Sequence, residues 1–570
     1  MNALFFLGDY AARNVRRPEW VYWDAVHIDR LAQRANTINE FPFFTFLYGD
    51  LQPHMIALPL ALAALGLMVA LVKVKGRRRK VRGSEFLPFA FCLLPLALVI
   101  GALRATNGWD YPTYLALSVA TLGLAALARR RRGATTRAAM AFWIVSSLSL
   151  LALSKAMFLP FTQHFVAATG LRLWLETGTS ATELLKINGL WLFLLLSAGL
   201  LLYRRRAAIF YGSRATTATG LIVGALVLLV LAFALNVGAM LILLPLAIAA
   251  AWLGIVVVRV HPRSSASNIW PPRLLSPASQ LLILWVLTAL LAMLTSEILV
   301  APDDVGRQNT VLNLGMQSWV LLASASAPAI VWLWRASAVQ RRQSASSGRI
   351  ALGWAWRGTA LLLIAAALVY PISATPARVA DRFDTRSGPT LDGMAFMRTG
   401  FWAENGRQFP LAEDADAIDW MRTHIDGTPI VLEAQTDPYR WAGRISTYTG
   451  LPTLLGWSWH EHQQRSGALA SRVIDSRERL INRLYTLASP GEIMHDLQLY
   501  GVEYVYVGQL ERALYPPSGL ARFDALAQSG KIQVVYHRGA TLIYRVPLAG
   551  HPPAVLTTSL PVYPPSWSAK

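Results

Sequence analysis

Between residues 54 and 370 the chain alternates long apolar runs with short polar breaks. A helix that crosses a bilayer needs about 20 mostly apolar residues. That length predicts ten spans, at 54–72, 86–103, 111–128, 138–160, 188–203, 217–236, 239–258, 279–296, 317–334 and 350–370. The breaks are of two kinds. Five carry Lys/Arg clusters: KVKGRRRKVR (73–82), RRRRGATTR (129–137), Arg204–Arg206 with Arg214, the stretch holding Arg259, Arg263 and Arg273, and the stretch holding Arg335, Arg341, Arg342 and Arg349. The others, near 104–110, 161–187, 234–238 and 297–316, hold Asp110, Glu176, Glu183, Glu297, Asp303 and Asp304, whereas Glu85 lies on the basic side. Basic loops stay in the cytoplasm. The acidic breaks and the last 200 residues are therefore expected on the opposite face.

After residue 370 the pattern shifts to amphipathic helices and short β-rich runs. LAEDADAIDWMRTHI (411–425), SRERLINRLYTL (476–487) and GEIMHDLQLY (491–500) read as helices. TPIVLEA (428–434), VEYVYVG (502–508), IQVVYHR (532–538) and TLIYRV (541–546) read as strands. The expected fold class is a polytopic α-helical membrane protein with a C-terminal soluble α/β domain. Its segments are 1–53, an outer stretch containing INEFPFF; 54–370, the transmembrane domain; 371–550, the extracytoplasmic α/β domain; and 551–570, a proline-rich tail.

Composition agrees: 54% of residues are apolar and only 15% charged, with a mean hydropathy of +0.39. That excludes a disordered chain and an ordinary soluble globule. The single cysteine, Cys92, excludes an internal disulfide framework and a cysteine-rich metal centre. A net charge of +21 would suggest nucleic acid, but residues 54–370 hold 29 Lys/Arg against 7 Asp/Glu, while residues 371–570 are balanced at 19 and 19. The excess is thus a membrane-orientation signal and no nucleic-acid partner is expected. Residues 1–53 precede the first span and fall on the outer side, yet carry Arg13, Arg16, Arg17, Arg30 and Arg34 without a signal peptide. This predicts further membrane helices upstream, or a partner chain that supplies them.

Four groups of residues carry candidate chemistry. Glu40 and Asp50 flank the aromatic run Phe41, Phe43, Phe44, Phe46 and Tyr48, and Asp50 and His54 are four apart. They suit a base or metal ligands at the membrane mouth, or else a helix cap beside an interfacial aromatic belt. Asn107, Trp109 and Asp110 form a turn that opens a span and offers polar hooks for a sugar or phosphate, or a cap with aromatic anchors. Glu297, Asp303, Asp304, Arg307 and Asn309 combine an arginine suited to phosphate with acids that orient it, or close as an internal salt bridge. Trp457, Trp459, His460, Glu461 and His462 form an aromatic, titratable patch without zinc-helix spacing. No metal site is assigned, and a divalent metal is the one cofactor such acids would take.

TINEFPFFTFLYGDLQPHMIALP (37–59), ATNGWDYPTYLAL (105–117) and SEILVAPDDVGRQNTVLNLGMQSWVL (296–321) resemble the Chlor-Arch-YYY membrane domain, a bacterial and archaeal multi-pass family of unknown function. TLDGMAFM (390–397), ISTYTGLPTLLGWSWHEHQQR (445–465) and GVEYVYVGQLERALY (501–515) extend the resemblance over nearly the whole chain. It implies kinship with the GT-C membrane glycosyltransferases, which use lipid-phosphate-linked sugars outside the cytoplasmic membrane. Those enzymes keep an essential carboxylate in their first outer loop, a region that lies upstream of this chain's first residue in longer relatives. Where relatives read Gly-Asp-Leu-His-Pro-His this chain has Gln52, and where they end Arg-Met-Asn-Thr-Val-Phe-Lys it has Asn313.

The resemblance thus implies a glycosyltransferase, or its C-terminal portion, taking sugar from a polyprenyl-phosphate donor at the outer face of a prokaryotic inner membrane. Glu40, Asp50, His54 and Glu297 are then the catalytic candidates. Asn107, Trp109, Asp110, Asp304, Arg307, Asn309, Trp459 and Glu461 are the substrate-binding candidates. A non-catalytic scaffold in cell-envelope glycan assembly is the alternative. A transporter or lipid flippase ranks after it, because Lys155 and Arg357 lack paired acids within their spans.

Overall fold

The computed structural model describes residues 37–49, 51–73, 86–165, 170–174, 178–207, 238–259, 277–302, 304, 306–342, 347–382, 385–465 and 468–548. The expected span at 217–236, the basic loop at 74–82, the N-terminal arginines, Asp50, Asp303, Glu85, Glu176 and the proline-rich tail lie outside them. Backbone contacts divide the chain into a membrane unit that ends at Arg382 and a second unit that follows it.

The membrane unit is a helical bundle. Its helices are Pro42–Tyr48, Pro53–Lys73, Phe86–Thr106, Asp110–Arg131, Thr136–Ala156, Leu159–His164, Ala181–Ala207, Met240–Arg259, Pro277–Ile298, Gln308–Arg342 and Ser347–Arg382. Among the described residues seven helices are long and apolar enough to cross a membrane, with shorter apolar stretches at Cys92–Thr106 and Met240–Gly254. Nine of the ten expected spans therefore coincide with apolar helix.

Small residues bring these helices together. A Cβ at Gly101 would lie 2.6 Å from the Ser154 carbonyl oxygen, so Phe86–Thr106 and Thr136–Ala156 approach backbone to backbone. Met68, Leu96, Ile100 and Leu321 are fully buried in the resulting core. The short helix Pro42–Tyr48 lies against the last long helix, where Phe44 packs with Tyr370 and Ala374. Phe41 meets Tyr370 edge-on at 5.0 Å, and Arg378 donates to the Tyr48 carbonyl at 2.9 Å.

The helix Ser347–Arg382 runs well past residue 370, where the sequence pattern placed the end of the membrane domain. It passes through Pro371 and Pro376, each of which removes one backbone donor. Hydroxyls return some hydrogen bonding there: Ser373 donates to the Val369 carbonyl and Thr375 to that of Pro371.

The second unit is built on a four-stranded sheet ordered Ile430–Leu432, Val502–Val507, Thr541–Arg545, Gln533–Arg538. The first pair is parallel and the others antiparallel. Helices Ala412–His424, Ala468–Thr486, Pro490–Leu499 and Pro517–Gln528 accompany it. A separate hairpin pairs Phe401–Glu404 with Arg407–Pro410 through Asn405 and Gly406, both at positive φ, as a tight Asn-Gly turn requires.

A buried ionic network fixes the loops that leave the parallel strands. Arg444 meets Asp414 at 2.7 Å and Glu511 at 2.9 Å. Asp414 also accepts the Trp441 indole N–H and the Tyr506 hydroxyl. Glu433, one residue beyond its strand, accepts the backbone N–H groups of Ile445 and Ser446. Burial pushes the Glu433 carboxyl above its usual range. Replacing Arg444 with Met would leave three buried carboxylates around a missing cation. The expected loss is about 3–5 kcal/mol in the unfolding transition of the second unit, measured by denaturant titration of the full chain.

Candidate functional site

The polar residues of the membrane unit form two groups. The first centres on the Asn107–Trp109 turn between two spans. Asn107 Oδ1 accepts the Trp109 backbone N–H at 3.3 Å, a local side-chain turn typical of asparagine. Its Nδ2 donates to Asp110 Oδ2 and to Asn313 Oδ1, each at 3.2 Å. One helical turn further along Gln308–Arg342, Gln317 donates to the Trp109 carbonyl at 2.9 Å. The two amides clamp the turn from the facing helix.

Asp110 does not cap its helix: no side-chain cap is formed, and the carboxylate turns inward instead. It lies within electrostatic reach of His54, the second residue of Pro53–Lys73. His54 Nε2 is 2.9 Å from Glu40 Oε2, which also accepts the Thr45 hydroxyl at 3.0 Å. His54, Asn107, Asp110, Asn313 and Gln317 are all buried. The Tyr111 and Tyr114 hydroxyls and Gln317 Oε1 are also buried, and have no partner among the described residues. Unmet hydrogen-bonding capacity at this depth is unusual in a folded protein.

Arg104, near the end of Phe86–Thr106, donates to the Thr162 hydroxyl at 2.8 Å and lies 5.7 Å from the centre of the Tyr111 ring. It supplies a cation on the same turn. Trp109 contributes through its backbone and is half-buried.

The second group is more nearly satisfied, with Arg307 Nε its one buried polar atom that has no partner among the described residues. Arg307 Nη1 lies 2.9 Å from Glu297 Oε1 and donates to the Ser296 carbonyl. Its Nη2 donates to the Thr179 hydroxyl, which donates in turn to Glu297 at 2.6 Å. The Thr179 backbone N–H completes the carboxylate's shell at 2.8 Å. Asp304 accepts the backbone N–H groups of Asn309 and Thr310 at 2.9 and 2.8 Å and so caps Gln308–Arg342. Asn309 offers its carbonyl to Asn313, which links the two groups. The cap explains why the helix begins at Gln308 and not near 317. Its first turns carry the polar residues that a loop was expected to hold.

In the second unit Trp459 is exposed and sits edge-on to His460 at 5.2 Å. Glu461 pairs with Arg465 at 2.6 Å, and His462 with Asp475 at 3.1 Å, so these titratable groups do not converge. Among the described residues no three His, Cys, Asp or Glu side chains come together as metal ligands would.

Residues 4–322 match the family described as uncharacterized membrane protein DUF2298. The chain belongs to that family. The DUF2298 region takes in Glu40, His54, the Asn107–Asp110 turn and the Glu297–Arg307 pair, and ends within the helix that bears Asn313 and Gln317. No curated protein and no solved structure matches the chain.

Arg104, Thr45, Thr179 and Gln317 were not singled out by the sequence pattern, and Asn313 entered only as a departure from the relatives' motif. The signal present was the four-residue spacing of Asn313 and Gln317 beside an apolar run. Replacing Glu297 with Ala would strand the Arg307 guanidinium, which is 1% exposed. The expected destabilisation is about 3–5 kcal/mol, read as a fall in the detergent-phase melting temperature, with Glu297→Gln recovering part of it.

Proposed function

We propose that this DUF2298 member is a GT-C-like membrane transferase, or the C-terminal portion of one, that moves sugar from a polyprenyl-phosphate donor on the outer face of the membrane. The observation that carries the proposal is the Glu40–His54 pair at 2.9 Å, set beside buried Asp110 and its unpartnered hydroxyl and amide neighbours. A scaffold has no use for such capacity, whereas a site that closes around a sugar does.

Each helix that contributes to the cluster supports the sidedness. Pro53–Lys73 carries His54 in its first turn and ends at Lys73; Asp110–Arg131 begins at Asp110 and ends with Arg129–Arg131. Gln308–Arg342 begins at its Asp304 cap and ends with Arg341 and Arg342. The cluster thus sits at the ends opposite the basic clusters, which positive-inside orientation assigns to the outside.

In the proposed step the acceptor hydroxyl gives its proton to His54, whose imidazole Glu40 holds in one tautomer. The acceptor oxygen forms its bond to the anomeric carbon as the bond from that carbon to the phosphate oxygen breaks. The electron pair leaves with the polyprenyl phosphate, and Arg104 meets its growing charge. Asp110 holds sugar hydroxyls. Glu297, Asp304, Arg307 and Asn309 are assigned to ordering the loop and helix start that present Asn313 and Gln317. The mutual pairing of Glu297 and Arg307 also suits the scaffold alternative, in which the whole cluster only braces helices.

Purified protein in nanodiscs, supplied with radiolabelled polyprenyl-phosphate mannose or glucose and membrane glycan acceptors, is expected to transfer label. His54→Ala and Asp110→Asn should each lower the rate by about a hundredfold or more, and Arg104→Ala should do so with a raised donor KM. Transfer undiminished in all three variants, or absent with every donor, would favour the scaffold.

A further inference from the structure

We infer that the second unit carries a carbohydrate-binding platform made by Tyr439, Trp457, Trp459 and His460. The loop that leaves Ile430–Leu432 and the segment before the helix Ser458–Gln464 are tied together. Gln435 donates to the carbonyls of Leu455 and Gly456, and the Trp457 indole donates to that of Ala442 at 3.1 Å. On this frame Tyr439 has φ +65°, a left-handed backbone that a bulky side chain rarely adopts. Its ring is 59% exposed, so burial does not account for the strain. What the strained backbone achieves is the placement of that ring 5.4 Å from Trp457 and 5.2 Å from His460.

Trp459, 46% exposed, also meets His460, at 5.2 Å. Tyr439 and Trp459 meet the imidazole at 85° and 89°, and Trp457 at 41°. The rings therefore form a corner and not a flat apolar face. A pyranose presents an apolar C–H face with hydroxyls at its rim, and a corner of aromatic faces fits that shape.

The surroundings select the ligand. Asp437 and Arg440 flank Tyr439 in the chain, Glu461 and Arg465 follow Trp459, and Arg440 and Arg465 are at least half exposed. Pressing these charges into a hydrocarbon layer would cost more than the rings gain. Against a sugar the same groups stay hydrated or bond to hydroxyls. The platform belongs to the second unit and the His54 cluster to the membrane unit, and the inference does not depend on the transfer chemistry proposed for that cluster.

The test uses the full chain in nanodiscs with linear gluco-, manno- and galacto-oligosaccharides of four to six units, followed by calorimetry and saturation-transfer NMR. At least one series should bind saturably, with transfer to ring C–H protons. Trp459→Ala and Tyr439→Gly should each weaken binding about tenfold or more. Tyr439→Gly is the decisive variant: glycine adopts this backbone freely, so the melting temperature should hold or rise while binding falls. His54→Ala should bind as the wild type does, which separates this platform from the transfer site. Saturable binding by none of the series, binding unchanged in both platform variants, or Trp459 quenched by brominated lipid without any saccharide response would each overturn the inference.

Discussion

A guanidinium inside a membrane bundle is tolerable only when its charge and its hydrogen bonds are answered by protein. Arg307 meets that condition for its charge and for both Nη atoms, through Glu297, the Ser296 carbonyl and Thr179, while its Nε has no partner among the described residues. The contact joins three stretches of chain far apart in sequence: the end of Pro277–Ile298, the residues leading into Gln308–Arg342, and the residues before Ala181–Ala207. Since Asp304 caps the helix that follows, the knot and the cap together set where Gln308–Arg342 starts. Asn313 and Gln317 then fall opposite the Asn107–Trp109 turn. The polar cluster near His54 thus depends on a pair of charges that need not touch any ligand.

This division of labour between residues of like chemistry runs through the molecule. Glu297 and Glu40 are both carboxylates beside a potential cation. One accepts from three protein donors, whereas the other holds an imidazole next to groups with unmet bonds. In the second unit Asp414, Glu433 and Glu511 are likewise spent on architecture, fixing the loops beyond the parallel strands, while Tyr439 and Trp459 remain exposed. Burial, more than residue type, separates the groups that hold the fold from those that face outward.

The apolar runs made the membrane helices legible, because length and hydropathy suffice for an element that must cross a bilayer. The sheet strands were legible for a similar reason: VEYVYV and TLIYR are β-branched and aromatic. The Asn405-Gly406 dipeptide is a strong local hairpin signal, set between flanking strands of only four residues each. Polar residues inside helices were harder. Asn313 read as loop and Gln317 as the first residue of a span, because a cap, which is a three-dimensional contact, decides where their helix begins. Arg104 and Thr162 are 58 positions apart, and no local pattern links them. The His54–Glu40 contact spans a turn and a helix start, so the sequence offered both residues as candidates but not their pairing.

The paired prolines of the last long helix bear on how such a site could be tuned. Pro371 and Pro376 bracket Ala374, where Phe44 rests, and the Arg378 guanidinium reaches the Tyr48 carbonyl just beyond. A rod weakened at two points flexes there before it flexes elsewhere. Because the short aromatic helix rides on that stretch and Thr45 steadies Glu40, a small change of bend would be felt as a change in how firmly the imidazole is gripped. The last long helix is therefore the surface from which the short aromatic helix, and through Thr45 the Glu40 carboxylate, takes its position.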